Sequence, residues 1–319
     1  MAGDYPFIRQ LRPHVTDAQL RPLDPVCQVV QFCDPLSTEE HRRVSKFMRR
    51  YPNVPLRAYG PYPDAVPDLC FLQHYPQLTN LVVDIFDLES LRGIEHLPPN
   101  LESLGLGQTR TKSISLSVLS RFPDLKELFV EGHHKGIEAI SSLHSLEKLT
   151  LKSITLPSLS LLLPLRELWW LDLKLGGITD LSLLPKIGRL KYLELWMVKG
   201  LSDLSAIGSL TSLQCLFLQA LKNVTELPSF KNLKDLRRVT LDTMKGLKSI
   251  EAIAAAPALE EFMAVGESSL LPQDFAPLVG HPTLKRASVF LGRDWKNREI
   301  AALLGLPPCE SGKGEFSFQ

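Results

Sequence analysis

The sequence predicts a solenoid of stacked repeats, in which each repeat contributes one short strand to a parallel β-sheet and returns through a tight turn. One observation is a six-residue motif with leucine or another apolar residue at its first, fourth and sixth positions. A second is the spacing of these motifs, whose starts lie 21 to 25 residues apart. Self-similarity at this period is typical of repeat architectures, whose units bury their apolar residues against their neighbours. The copies are LTNLVV (78–83), LESLGL (101–106), LKELFV (125–130), LEKLTL (146–151), LWWLDL (168–173), LKYLEL (190–195), LQCLFL (213–218), LRRVTL (236–241) and the weaker LEEFMA (259–264) and LKRASV (284–289), with VPLRAY (54–59) as a degenerate earlier copy.

The segment after each motif changes its rhythm, and this is the third observation. Apolar residues there fall at every third position, as at Val198, Leu201 and Leu204. A three-residue period suits 3₁₀ segments, in which the side chains at i and i+3 eclipse. A repeat of 21 to 25 residues leaves little room for a long helix. We therefore expect each repeat to consist of a strand, a bend and a returning 3₁₀ segment.

These motifs resemble the leucine-rich repeat family, and the stretch GITDLSLLPKIGRLKYLEL resembles its short cytosolic and internalin-like classes. The resemblance covers about residues 54–291. It implies an α/β solenoid, a horseshoe with a parallel concave β-sheet and with 3₁₀ or short helices on the convex side. One feature departs from the family, because the asparagine expected three residues after the last strand leucine is missing. Those positions hold Phe86, Thr109, His133, Ile154, Gly176, Val198, Leu221, Met244, Glu267 and Gly292.

The two ends differ from the repeats and are expected to cover the terminal cores, as in other solenoids. We therefore divide the chain into an N-terminal capping region (1–53), the repeats (54–291) and a C-terminal cap (292–319). The first cap is predicted to hold a strand in CQVVQF (27–32) and an amphipathic helix over 37–51, capped by Ser37 or Thr38. The second is predicted to hold a helix over 294–305 that ends at Gly305 and a last strand in GEFSFQ (314–319). PYPDAVPD (61–68) is expected to be a loop.

Composition narrows the function classes. The chain is 44% hydrophobic with a formal net charge of +1, which gives no reason to expect attraction of the whole molecule to nucleic acid or to an anionic membrane. No stretch approaches the roughly 18 apolar residues that a membrane-spanning helix needs. The five cysteines have no zinc-site or disulfide-framework spacing, so we expect mostly free thiols in a cytoplasmic protein.

Catalytic signatures are not found in the sequence. Neither a phosphate-binding glycine loop nor a nucleophile or zinc-protease motif occurs, and GLGQTRTKS (105–113) lacks the spacing to cradle phosphates. His133, His134 and Lys135 fall in a predicted turn and are expected to be solvated. We therefore expect no enzyme, no cofactor and no metal site.

The alternation of side chains along a strand predicts which residues lie on the concave face. The third and fifth residues of each motif, and the residue that directly follows it, point opposite to the apolar residues at its fourth and sixth positions. This places three of the four tryptophans of the chain in two adjacent repeats, with Trp170 one strand spacing of about 4.8 Å from Tyr192. The expected partner-binding residues are the apolar Phe129, Trp170, Tyr192, Trp196, Phe217 and Met263 and the charged Lys174, Asp172, Glu194 and Arg238.

An exposed aromatic centre surrounded by charges resembles the core and rim of a protein interface. Cross-strand aromatic pairs also stabilise a sheet by about 0.2–1 kcal/mol each, which would account for Trp170 beside Tyr192 without a partner. Stacking of single-stranded nucleic acid on the aromatics is a further alternative, which the carboxylates among them disfavour. The sequence thus predicts a protein that is monomeric when free, contacts neither nucleic acid nor membrane, and captures another protein on its concave face. The resemblance implies three kinds of partner: a toxin neutralised by an immunity protein, an enzyme such as a phosphatase bound by its regulatory subunit, or a host protein bound by an effector.

Overall fold

The computed structural model describes residues 6–61, 68–111, 113–309 and 316–319, and the chain forms two compact units, Met1–Leu149 and Thr150–Gln319. Thirteen strands occur in the described residues, and each of the ten predicted repeat strands is among them. Most of the predicted loop 61–68 lies outside the described residues. The strands are β1 (Ile8–Leu11), β2 (Val29–Phe32), β3 (Leu56–Gly60), β4 (Asn80–Ile85), β5 (Ser103–Leu106), β6 (Glu127–Glu131), β7 (Lys148–Lys152), β8 (Trp170–Lys174), β9 (Tyr192–Trp196), β10 (Cys215–Gln219), β11 (Arg238–Asp242), β12 (Glu261–Val265) and β13 (Arg286–Phe290).

The predicted parallel sheet is confirmed. In the first unit β1 to β6 pair in parallel and in chain order, and in the second unit β8 to β13 do the same. The register aligns equivalent motif positions, so that Leu171 lies beside Leu193 and Leu193 beside Leu216. These three leucines are fully buried, which confirms the inward direction of the motif leucines.

Most of the return segments are short 3₁₀ helices, as the three-residue period predicted, but the return between β10 and β11 contains no helix. Helix α1 (Thr38–Met48) lies in the N-terminal region. The four-residue α-helix α2 (Glu251–Ala254), in the second unit, takes the place of one 3₁₀ segment. No helix in the part of the chain that the structure describes is both long and apolar enough to cross a membrane. The 3₁₀ segments are Cys70–His74, Ile94–His96, Leu116–Arg121, Ile137–Ser142, Ser160–Leu162, Leu184–Lys186, Ser205–Ser209 and Pro272–Leu278.

Helix α1 has the predicted cap. The Ser37 side chain accepts a hydrogen bond from the Glu40 backbone N–H, and the Glu40 carboxylate accepts one from the Ser37 N–H. This reciprocal pair satisfies two N–H groups that a helix start otherwise leaves without partners. The buried side of this amphipathic helix is formed by Val44, Phe47 and Met48.

The C-terminal helix, α3 (Asp294–Leu304), ends where the sequence predicts. Gly305 adopts the left-handed conformation with φ of 61° and donates its N–H to the Ala301 carbonyl, as glycines at helix ends commonly do. The last strand predicted in GEFSFQ is not found in residues 316–319, and residues 314 and 315 lie outside the described part.

Residues with a left-handed backbone conformation take over the role of the asparagines that are missing after the strands. The residue directly after the strand has positive φ at Leu175 (56°), Met197 (47°) and Ala220 (51°), among others. Its backbone N–H donates to the last carbonyl of the next strand, as from Leu175 to Trp196 at 2.8 Å and from Met197 to Gln219 at 2.9 Å. The main chain thus satisfies itself from coil to coil, so the former asparagine position can hold buried apolar side chains such as Val198.

His133 is a correction to the sequence analysis. It is 2% exposed, and its Nε2 lies 3.0 Å from the Gly107 carbonyl oxygen, whereas His134 is exposed as expected. Burial lowers the pKa of His133, so its ring stays neutral at physiological pH. His133 therefore satisfies a turn carbonyl inside the first unit and is not part of a solvated loop.

Candidate functional site

The outward side chains of β8 to β13 form three rows, one for each outward position of the strand. In β8 and β9 the register pairs Trp170 with Tyr192, Asp172 with Glu194, and Lys174 with Trp196. The same rows continue through Cys215, Phe217 and Gln219 of β10, and onward as Arg238, Thr240 and Asp242, then Glu261, Met263 and Val265.

Trp170 and Tyr192 form a stacked aromatic pair. Their ring centroids lie 3.6 Å apart with an interplanar angle of 11°. Trp170 is half-buried, but Tyr192 is only 2% exposed, so the expectation of an exposed Tyr192 is wrong. An aromatic pair in contact contributes about 0.5–1.5 kcal/mol beyond the area that it buries.

Asp172 and Glu194, which we call the acid pair, lie opposite each other in the next outward row of β8 and β9. They are 5% and 1% exposed, respectively, which contradicts their predicted place in a solvated rim. The Lys174 ammonium nitrogen lies 3.0 Å from Asp172 Oδ2 and 3.2 Å from Glu194 Oε2. The Thr150 and Tyr192 hydroxyls donate to Asp172 Oδ2 at 3.0 Å and Glu194 Oε2 at 2.9 Å. Lys174 therefore stabilises two buried carboxylates and is itself mostly buried.

The acid pair carries more negative charge than Lys174 offsets. Burial raises the pKa of Asp172, the neighbouring Glu194 carboxylate raises it further, and Lys174 opposes both. Asp172 Oδ1 has no hydrogen-bond partner among the described residues. Burial also raises the pKa of Tyr192 well above its usual range, so it remains a phenol donor at neutral pH. The ionised form of Asp172 is therefore disfavoured in the folded protein.

Replacing Asp172 with asparagine is expected to stabilise the protein near neutral pH by about 1 kcal/mol, because burial and the neighbouring Glu194 carboxylate disfavour the charge of Asp172 and Lys174 then faces one fewer carboxylate. The raised pKa of Asp172 contributes stability at low pH that is lost as pH rises through that pKa. The advantage of Asp172→Asn over the parent should therefore grow from about pH 4 to pH 7. Urea unfolding at several pH values measures it, with exposed Asp124→Asn as the control. A constant difference across that range would contradict the charge argument.

Residues 316–319 lie across the first outward row, an arrangement that the sequence analysis missed. The Phe318 ring lies 5.2 Å from Trp169, 5.8 Å from Trp170 and 6.3 Å from Tyr192 between centroids. The alternating aromatics of GEFSFQ were the available signal, but alone they equally predict an ordinary strand.

A cavity of about 230 Å³, which we call the aromatic groove, lies between this segment and strands β9 to β12. Its walls are largely apolar, and the Arg238–Glu261 ion pair, at 2.5 Å, is the charged part of its floor. Apolar clefts with a few fixed polar groups are the usual form of binding sites. The sheet contributes Tyr192, Cys215, Phe217, Arg238, Thr240, Glu261 and Met263, and Cys309, Phe316 and Phe318 complete the walls.

The structure brings together most of the predicted partner-binding residues. Phe217, Arg238 and Met263 line the aromatic groove with Tyr192, and Phe129 is half-buried in the first unit. Trp196 is half-buried at the far end of β9, beside the exposed Met197 and Leu175. Whether any of them contacts a partner stays a prediction.

In the described residues, no group of three or more His, Cys, Asp or Glu side chains is arranged so that it could hold a metal ion. The five cysteines, all described, are not joined in disulfides. The arrangement is suited to noncovalent binding of apolar and aromatic groups.

Among solved structures, the chain is similar to an internalin, InlF, from Listeria monocytogenes str. 4b F2365, with 20% identity, coverage of 89% of this chain and 78% of that chain, and a TM-score of 0.57. It is also similar to TLR13 in a TLR13–ssRNA13 complex, with 16% identity, coverage of 89% and 50%, and a TM-score of 0.50. Internalin C2 from the same Listeria strain matches with 23% identity, coverage of 63% and 75%, and a TM-score of 0.40. No protein-family model matches the sequence, and no curated protein matches it either. The likeness shows the fold, which is that of a leucine-rich repeat solenoid.

Proposed function

We propose that this chain is a cytoplasmic protein-binding module without enzymatic activity, which takes a partner protein on the outward face of β8 to β12. The observation that supports this most is the concentration of aromatic side chains on that face, around a cavity that the chain does not fill. Tryptophan and tyrosine are the side chains most enriched among residues that dominate binding energy.

An open apolar patch extends the face beyond the aromatic groove. Leu175 and Met197 are 37% and 50% exposed, and they follow directly on Lys174 and Trp196, which are paired across β8 and β9. Their left-handed backbone is held by the hydrogen bonds between coils, so these side chains are presented by a rigid turn. Rigid presentation of apolar side chains lowers the entropy lost on binding.

The partner classes remain those that the family resemblance implies, with neutralisation of a toxin as an immunity protein first, ahead of a regulatory subunit and an effector. Recognition of single-stranded nucleic acid is less well supported, because the acid pair places two carboxylates in the middle of the face and would repel phosphates. A pull-down followed by mass spectrometry would supply the candidate partner on which the affinity measurements depend.

Truncating Trp196 to alanine is expected to weaken partner binding by about 2 kcal/mol, roughly thirtyfold, if Trp196 belongs to the interface core. Trp196 is better suited to this test than Trp170, whose stacking on Tyr192 also contributes to stability. The melting temperature should change little, because half-exposed substitutions outside a hydrogen-bond network usually stay within about 0.5 kcal/mol. Calorimetric titration of the partner measures the affinity.

The control is Trp295→Ala, which removes the same side chain from an exposed site on α3. It should leave the affinity unchanged. Equal affinities of the parent, Trp196→Ala and Trp295→Ala proteins would remove this face from the interface.

A further inference from the structure

Residues 316–319 of the chain itself form one wall of the aromatic groove and pack on the outward face of the sheet, where Phe318 contacts Trp169, Trp170 and Tyr192. We propose that this segment is an intramolecular stand-in for a partner segment of the same chemistry: an extended stretch with two aromatic residues two positions apart, followed by an acidic residue. The inference rests on the proposed function and names the part of a partner protein that the site takes.

The spacing of the two phenylalanines is the first argument. In an extended chain, residues two positions apart point to the same side. Both Phe316 and Phe318 line the aromatic groove, with their ring centroids 4.8 Å apart. Phe318 packs in an edge-on or tilted geometry against Trp169, Trp170 and Tyr192, the arrangement that aromatic pairs prefer over direct face-to-face stacking.

Phe316 is held by a different chemistry. The guanidinium carbons of Arg237 and Arg238 lie 4.6 Å and 4.9 Å from its ring centroid, within the range of cation–π attraction. The two subsites therefore differ: one is a cage of three aromatic rings, and the other is a pair of guanidinium groups. Both select for an aromatic side chain.

Hydrogen bonds to the main chain of the segment are the second argument. Gln214 Nε2 donates to the main-chain oxygen of Gln319 at 2.8 Å, and Gln214 Oε1 accepts from the Gln319 N–H at 2.9 Å. Arg237 donates to the Ser317 carbonyl. Any extended peptide offers the same carbonyl and N–H groups, so these contacts hold a backbone whatever its sequence, and the aromatic subsites supply the selection.

Charge supplies the third argument. A second cleft, of about 430 Å³, begins at Gln319 and is lined by four basic side chains and one acidic one. A glutamate or aspartate at the position of Gln319 would be attracted to this cleft, whereas a lysine there would be repelled. The charged side chains are Arg189, Lys191, Lys234, Arg237 and Asp235.

The chain's own segment leaves part of the site open. The cavity of about 230 Å³ persists between the segment and Phe217 and Met263 with Phe316 and Phe318 in place. A partner segment with larger aromatic side chains could fill that space as well as make the contacts described above. The resident segment is therefore a weaker occupant that a partner displaces.

The test uses the full chain with the substitutions Phe316→Ala and Phe318→Ala, and a fluorescent EFSFQ peptide with blocked ends as the probe. A tethered segment acts at a local concentration on the order of millimolar. The parent protein should therefore bind the peptide at least tenfold more weakly than the double variant, measured by fluorescence polarisation. An EASAQ peptide, which keeps the main chain, should lose binding.

Charge selection is tested on the same double variant. An EFSFE peptide should bind at least threefold more tightly than EFSFQ at low salt, an EFSFK peptide more weakly, and the difference should shrink at high salt. The milder Phe316→Ala variant is expected to bind the EFSFQ peptide more tightly than the parent but less tightly than the double variant. It replaces the double variant if near-ultraviolet circular dichroism shows that the double variant is misfolded.

Three results would overturn the inference: no EFSFQ binding to the opened variants at millimolar peptide, equal affinity of parent and variants, or a single-stranded oligonucleotide that outcompetes the peptide. None of these measurements needs the partner protein. They are therefore independent of the Trp196 test. If Trp196→Ala left partner binding unchanged but the peptide still bound the aromatic groove, the proposed function would be contradicted and this inference would not.

Discussion

A protein with Leu193 replaced by aspartate is expected to be destabilised by roughly 5 kcal/mol or more, a large share of the 5–15 kcal/mol that stabilises an ordinary domain. Leu193 is fully buried between Leu171 and Leu216 on the neighbouring strands. The substitution removes a packed leucine, which alone is worth about 2–5 kcal/mol, and leaves a carboxylate without a partner in the core. The midpoint of urea unfolding measures the loss.

A matched control is Leu175→Asp in the adjacent turn, where the side chain is 37% exposed and the backbone is left-handed. Aspartate adopts that backbone conformation more readily than leucine, so this variant should unfold close to the parent. Similar midpoints for Leu193→Asp and the parent would show that the motif leucines do not form the core between coils.

Replacing Lys174 with methionine is expected to destabilise the protein by about 3–5 kcal/mol, the usual loss when one partner of a buried ion pair is removed. Methionine keeps most of the side-chain volume, but it removes the ammonium group that lies 3.0 Å from Asp172 Oδ2 and 3.2 Å from Glu194 Oε2 in the acid pair. The loss should shrink as pH falls, because the raised pKa of Asp172 lets it bind a proton in the folded protein. Urea unfolding near pH 7.5 and pH 5 tests both points.

Two further variants identify the cause of that loss. Exposed Lys199→Met, in the next turn, should have little effect. Adding Asp172→Asn to Lys174→Met should recover part of the stability, since the two residues are in contact and their substitutions should not be additive. A loss below about 1 kcal/mol for Lys174→Met would instead agree with the sequence-based expectation that Lys174 belongs to the charged rim of an interface.

Local patterns predicted the elements well, because the physics that forms them is local. Alternation along a strand places Leu171 and Leu193 inward, and the same rule correctly places Trp170 and Tyr192 on the opposite face. Ser37 and Gly305 mark helix ends through hydrogen bonds and backbone angles that involve only the nearest few residues.

Alternation did not predict which outward residues are open to solvent. Asp172 and Glu194 point outward as expected, yet they are buried by the side chains that flank them on their own face. Burial there depends on the size of neighbours in adjacent strands and on the length of Lys174, which folds back over both carboxylates. The replacement for the asparagine ladder is a similar case, because left-handed leucine and methionine residues have no distinctive sequence signal.

The sequence by itself determined the repeat, the direction of its leucines and the concentration of tryptophan and tyrosine on one face. Only the tertiary structure showed that residues 316–319 lie on that face. Gln214 and Gln319, which exchange two hydrogen bonds there, are 105 positions apart in the chain. Periodicity records the geometry of a strand and of its nearest neighbours, whereas a contact over that distance depends on how many coils the intervening chain stacks and where it returns.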